Sequence, residues 1–203
     1  MSSIQGIFWD VNGVLLSNAW DHEQRAVALQ QFGVDPTEFH SRHELVVSSF
    51  ERGEIGLDLY LDQTIFYKSR SFSREAFKEV MFSLSTPIAG ALDIARALAD
   101  SGKYFMGTIN NESRELNLYR IEKWGMRKIF RLFVSSCFVG LRKPEPDIYR
   151  LTTETTQIPA EQCCFIDDRA LNLEAAAALG MRTIQMQRPA QLQSDLEALG
   201  VRP

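Results

Sequence analysis

Phe8-Trp9-Asp10-Val11-Asn12-Gly13-Val14-Leu15 closes an apolar run on a carboxylate and follows it with a turn signal. Ile4 to Trp9 has the composition of a short buried strand, and Asn12-Gly13 predicts a tight turn behind it. Asp10 then sits at the strand's carboxyl end. In open parallel α/β sheets ligands bind along that edge, so an acid there is a candidate reactive group. Two later stretches repeat the arrangement. Phe165-Ile166-Asp167-Asp168 is a second apolar run ending in carboxylates, and Gly140-Leu141-Arg142-Lys143-Pro144 supplies a fixed cation just before a helix.

From Ala91 onward short helices and strands alternate. A helix starting near Pro87 and stopping at Ser101-Gly102 leads into a strand from Tyr104 to Ile109. A charged amphipathic helix from Glu112 to Trp124 and a strand from Leu132 to Ser136 follow. Pro146 to Thr156 reads as a helix with proline in its first turn, 163 to 167 as a strand, and Asn172 to Leu179 as an alanine-rich helix. A last strand, Arg182 to Met186, precedes a helix over Gln191 to Leu199. Such alternation implies a doubly wound parallel sheet, an α/β fold. Between about Ser17 and Ser85 the pattern changes: apolar residues recur at three- or four-residue spacing and predict four helices with no strand. Core segments 1–16 and 86–203 therefore flank an all-helical segment, 17–85.

Bulk composition narrows the function classes. At 203 residues the chain holds one α/β core plus an insertion, and 45% hydrophobic with 24% charged residues is ordinary for a folded globular protein. Twenty-six acidic against 22 basic residues give a net charge of −4, with no basic cluster of the kind that tracks a nucleic-acid backbone. No apolar run approaches a membrane span, and Met-Ser-Ser-Ile-Gln-Gly lacks the pattern of a secretory leader, so the expectation is a cytoplasmic protein. Cys137, Cys163 and Cys164 are read as reduced core residues, the adjacent pair pointing to opposite strand faces. All three histidines, His22, His40 and His43, fall in the helical segment as core or solvated positions, which argues against a histidine-based serine hydrolase.

Carboxylates brought together by different strands repel unless a cation shares the site, so Asp10 and Asp168 point to a hard divalent ion, best Mg²⁺. Asp168 is also placed to cap the alanine-rich helix. Strand-end Asp, then Lys, then paired Asp is the order found in the haloacid dehalogenase-like hydrolases. The chain resembles them through Asp10, the run Arg142 to Tyr149 and the run Phe165 to Asn172, most closely bacterial sugar-phosphate phosphatases and the amino-terminal domain of soluble epoxide hydrolases. The resemblance implies a helical cap over a phosphatase site. Asp10 would attack phosphorus to form an aspartyl phosphate, and Asp168 with the backbone carbonyl of Asn12 would complete the metal ligands. Asp167 would orient a ligand or pair with Lys143, and Lys143 would neutralise the transferring group, beside Asn110 and Asn111 as further phosphate contacts.

Two positions depart from that pattern. Most phosphatases of the superfamily place a second Asp where this chain has Asn12, and a hydroxyl where it has Asn110. An amide cannot shuttle a proton at neutral pH, and general acid–base catalysis is worth about 10²–10⁴ in rate, so slow turnover is expected, with a preference for easily departing groups such as anomeric sugar 1-phosphates. Asn12→Asp is expected to raise turnover on alkyl esters if the geometry is preserved. The alternatives are a phospho-ligand-binding or regulatory protein with impaired turnover, and a metal-free dehalogenase. Trp20, Phe50 and Arg52 are read first as helix-core or surface residues and second as facing the site.

Overall fold

The computed structural model describes residues 3–18 and 20–203; Met1, Ser2 and Ala19 lie outside that description, and with the first two part of the reading of the amino terminus. Five parallel strands, β1 (Gly6–Trp9), β2 (Phe105–Asn110), β3 (Leu132–Ser135), β4 (Cys163–Asp167) and β5 (Arg182–Gln185), lie in the order β3-β2-β1-β4-β5. Chain direction across the sheet therefore reverses beside β1. Such a switch point opens a crevice at the strands' carboxyl ends, and Asp10 stands at its lip. Trp9 pairs with Thr108 on one side and Ile166 on the other, so Asp10 and Asp167 emerge side by side.

Side chains of β1 alternate between two apolar layers, as a strand buried on both faces requires. Ile7 and Trp9 pack with α5 (Ala91–Asp100) and α10 (Pro189–Ala198), whereas Phe8 packs with Ile148 and Tyr149 of α8 (Pro146–Thr156) and Leu173 of α9 (Ala170–Ala178). Cys164 joins the first layer and Cys163 the second, both buried free thiols.

Four helices occupy the insertion: α1 (His22–Gln31), α2 (Pro36–Glu51), α3 (Leu57–Thr64) and α4 (Arg74–Ser83). Local chemistry starts them. Asp35 accepts hydrogen bonds from the Thr37 and Glu38 amides ahead of Pro36, and Ser73 caps Ala76. Phe39, Phe50, Tyr60 and Phe77 form a separate apolar cluster, into which α6 (Arg114–Lys123) of the core inserts Leu116. The insertion leaves and rejoins the core at one point, where Ser17 N–H donates to the Thr86 carbonyl and Leu16 bridges Pro87. That pairing is why α5 begins at Ala91, behind Gly90 at φ 86°, and not at Pro87 as periodicity alone predicts. A four-residue helix, α7 (Ser136–Val139), was not expected, being too short to carry a period. No helix among the described residues is long and apolar enough to cross a membrane.

Candidate active site

Asp10, Asp167 and Asp168 each place a carboxylate oxygen within 4.8 Å of the others' at the strand ends. Lys143 Nζ lies 2.9 Å from Asp10 Oδ2 and 2.6 Å from Asp167 Oδ2, all three side chains being buried. Main-chain geometry sets these positions. The Asp10 amide donates to the Ile166 carbonyl, and Val11 N–H donates to Asp10 Oδ1 at 2.7 Å. Asp167 also accepts from Arg169 N–H at 2.8 Å and from Asn172 Nδ2 at 3.0 Å on both oxygens, so it anchors Lys143 and is saturated with donors. Asp168 does not cap α9: Arg169 holds that position, and Asp168 Oδ1 is buried with no partner among the described residues.

This carboxylate cluster carries more negative charge than one lysine cancels. Burial first, then Asp167 and Asp168, pushes the Asp10 carboxyl up to about 7 against the pull of Lys143. Burial and Asp167 likewise raise Asp168. Burial opposes the charge on Lys143, but Asp10 and Asp167 together hold its ammonium above the ordinary lysine value. A divalent cation answers the imbalance. The orphaned Asp168 Oδ1 and an all-oxygen donor set fit a hard ion such as Mg²⁺. Gly13, at φ +75°, keeps the approach open, since a Cβ there would collide with Asp168 Oδ2.

The three asparagines are placed differently from one another. Asn12 lines the cavity, but its Oδ1 accepts from Arg120 Nη1 at 2.6 Å and its Nδ2 donates to Glu112 Oε2 at 3.2 Å. Asn111 uses its amide on the Lys143 backbone, donating to the carbonyl and accepting from the N–H, each at 2.9 Å. Asn110 is a correction. It is fully buried, donating to Asn117 Oδ1 and accepting from Ser135 Oγ, and so does not present its amide to a phosphate.

Two residues that sequence reasoning missed hold this floor together. Arg120 is fully buried, pairs with Glu112 and donates to Ser85 Oγ. The sequence reading placed both within a charged amphipathic helix and gave neither a role. Leu116, Asn117, Arg120 and Ile121 are the buried set of α6, so an arginine at helical spacing among apolar residues was the signal available.

Above the acids lies a cavity of about 120 Å³, walled on the insertion side by Trp20, Arg25, His43, Val47, Phe50 and Glu51. The insertion is fastened over it. Glu51 meets Arg142 at 2.5 Å, and Ser136 Oγ donates to the Glu51 carbonyl at 2.6 Å. Gly53 sits so close to α7 that a Cβ would collide with the Cys137 carbonyl oxygen. Arg52 does not line the cavity; it pairs with Glu145 and donates to the Gly140 carbonyl, part of the same fastening. Trp20 and Phe50 serve both the insertion core and the cavity wall.

Burial, then the nearby Arg25 and His40 charges, pushes the His43 imidazole down to about 4, with Asp21 opposing. A neutral form favoured by folding gives stability that is complete above the unfolded value near 6.5. It is lost as pH falls from there through about 4. Melting temperatures measured from pH 7 to 4 should therefore fall less steeply in His43→Gln than in the wild type; equal slopes would contradict the assignment.

Residues 4–180 match the family of haloacid dehalogenase-like hydrolases. Flavin mononucleotide hydrolase 1 of Arabidopsis thaliana is 28% identical over 160 residues, 79% of this chain and 64% of that protein. Bifunctional epoxide hydrolase 2 of Rattus norvegicus is 37% identical over 68 residues, 34% of this chain and 12% of that protein. The chain thus spans less than two thirds of either relative. A HAD family enzyme of Bacteroides thetaiotaomicron, solved with magnesium and inorganic phosphate, superposes with a TM-score of 0.75 at 21% identity, over 91% of this chain and 95% of that one. On a family match that runs from the first strand to the end of α9, the chain belongs to the haloacid dehalogenase-like hydrolases.

Proposed function

We propose that the protein is a magnesium-dependent phosphatase of small phosphorylated metabolites, sugar phosphates foremost, working through a phosphoryl group carried on Asp10. The observation that carries this reading is the convergence of Asp10, Asp167 and Asp168 on Lys143 beneath one cavity at the sheet's switch point. A relative named for hydrolysis of flavin mononucleotide and a structural neighbour holding magnesium and phosphate support it. The paired acids Asp167 and Asp168 favour a metal site and so speak against a dehalogenase, which displaces halide from carbon without one.

Asp10 and Asp168, with the Asn12 backbone carbonyl, would hold the cation, whose charge offsets repulsion between the nucleophile and the incoming phosphate. An Asp10 oxygen forms a bond to phosphorus while the bond to the alcohol oxygen breaks, leaving an acyl phosphate. Water then attacks phosphorus, releasing inorganic phosphate and the free carboxylate. Lys143 stays beside Asp10 throughout, neutralising charge on the transferring group. Phosphate release from p-nitrophenyl phosphate, requiring magnesium and abolished by a chelator, tests the reading. Binding of phosphate with no turnover of any ester would favour the regulatory alternative, which the Asn12 amide, engaged by Arg120 and Glu112, supports.

Leaving-group protonation is the weak step, because no acid stands at position 12. Anomeric sugar 1-phosphates and aryl phosphates are therefore the favoured esters. The same geometry revises the expectation for Asn12→Asp. An aspartate there would set a second carboxylate against Glu112, about where an amide now donates at 3.2 Å, with one arginine between two acids. The substitution should leave turnover on alkyl phosphates flat or lower and cost about 1–3 kcal/mol of stability. Adding Glu112→Gln should restore much of that stability; a several-fold gain in kcat from Asn12→Asp alone would refute the argument.

A further inference from the structure

Three polar groups in the insertion form a directed chain ending at the cavity. Trp20 Nε1–H, which can only donate, lies 2.9 Å from the Tyr60 hydroxyl, and the same hydroxyl lies 2.8 Å from His43 Nδ1. Tyr60 accepts from Trp20, and its own buried proton finds a partner only by donating to Nδ1, which assigns Nδ1 as the acceptor. The His43 proton is then on Nε2. All three residues are buried, the ring is stacked on Phe39 at 5.5 Å, and His43 lines the cavity. Its one remaining polar atom is therefore a fixed N–H donor on the wall opposite the catalytic acids.

An acceptor, Glu51, lines the same wall of the cavity. Glu51 ends α2 and its carboxylate is held by Arg142, so its remaining lone pairs are available to a ligand hydroxyl. Apart from Trp20, Val47 and Phe50 the lining side chains are polar, and about 120 Å³ is well short of the roughly 300–1,000 Å³ of pockets for drug-sized ligands. Large, flat aromatic groups of flavin type match that size poorly. A compact polyhydroxy group matches both the size and the polar lining, because each hydroxyl accepts and donates.

We propose that His43 is a specificity-determining residue that donates from Nε2 to a hydroxyl oxygen of a sugar leaving group, with Glu51 as the matching acceptor and Tyr60 as a positioning residue. The inference deepens the phosphatase reading of the same cavity and rests on it for the position of the phosphate. A site built to bond a hydroxyl discriminates against ligands lacking it, because its polar groups are then left unpaired.

Two measurements on the full chain with magnesium decide it. Calorimetric titration of Asp10→Asn with glucose 1-phosphate and with inorganic phosphate needs no turnover; the sugar ester should bind more tightly, and adding His43→Phe should remove about tenfold of that advantage. His43→Gln, whose amide N–H can stand in for Nε2–H, should restore part of it. In the active enzyme the ratio of kcat/KM for glucose 1-phosphate to that for p-nitrophenyl phosphate should fall about 10–100-fold in His43→Phe and less in Tyr60→Phe. Equal binding of sugar ester and phosphate, or an unchanged ratio in His43→Phe, would overturn the proposal. Absence of p-nitrophenyl phosphate hydrolysis would overturn the phosphatase reading instead, leaving the titration to judge this one.

Discussion

Asp10→Asn is expected to abolish magnesium-dependent phosphate release, lowering kcat about 10⁴-fold or more, in the range seen when a covalent nucleophile is removed. An amide oxygen is too weak a nucleophile to form the acyl phosphate. The same substitution should raise the melting temperature of the metal-free protein at pH 8, and the sign follows from the site. Asp10 titrates near 7 when folded against about 4 in an unfolded chain, so folding favours its protonated form. Stability from this group is complete below about 4 and is lost as pH rises through about 7. At pH 8 the ionised carboxylate costs stability, which an uncharged amide does not. Magnesium should erase the difference by stabilising the wild type. Phosphate release persisting in Asp10→Asn, or a lowered melting temperature at pH 8 with activity lost, would make Asp10 a structural residue and remove the basis for the mechanism.

Asp10, Lys143, Asp167 and Asp168 were legible because each follows a strand or precedes a helix whose pattern is strong. A buried parallel strand ends abruptly, and whatever polar residue comes next is delivered to the ligand edge. The helices of the insertion were legible for a similar reason, their apolar residues recurring on one face. What stayed hidden depends on contacts between segments far apart in the chain. Asn110 has the right position along β2, but Ser135 on the neighbouring strand and Asn117 one helix later decide where its amide points. His43 looked like a helix-core position, and it is one; its second role arises only because Tyr60 and Trp20 fix which nitrogen carries the proton. Arg142 and Arg52 have long, flexible side chains, and no local pattern announces that one wraps back to Glu51 and the other to Glu145.

Arg120→Met should be strongly destabilising, costing about 3–5 kcal/mol, because it leaves a buried carboxylate without its cation. Exposure separates this pair, like the Lys143 pairs, from the ion pairs at the surface. Arg120 and Glu112 side chains are 0% and 6% exposed, whereas Arg150–Asp147 on α8 is 54% and 64% exposed and falls in the class worth at most about 1 kcal/mol. For a chain of this length each kcal/mol shifts the melting temperature by about 2–4 °C, so a fall of roughly 6–20 °C is expected. Arg120 also donates to Asn12 Oδ1 and Ser85 Oγ, which ties the turn after β1 to the segment where the insertion rejoins the core. Loss of those bonds should lower turnover as well, by letting the Asn12 turn drift under Asp10. The network is incompletely satisfied, since Arg120 Nη2 has no partner among the described residues. Replacing both charges by neutral groups need not be costly when a buried pair is under-satisfied. Arg120→Met with Glu112→Gln should accordingly recover more than half of the single-variant loss, a strongly non-additive cycle. Equal and additive losses for the two single substitutions would mean that water reaches the pair and that its charges are screened.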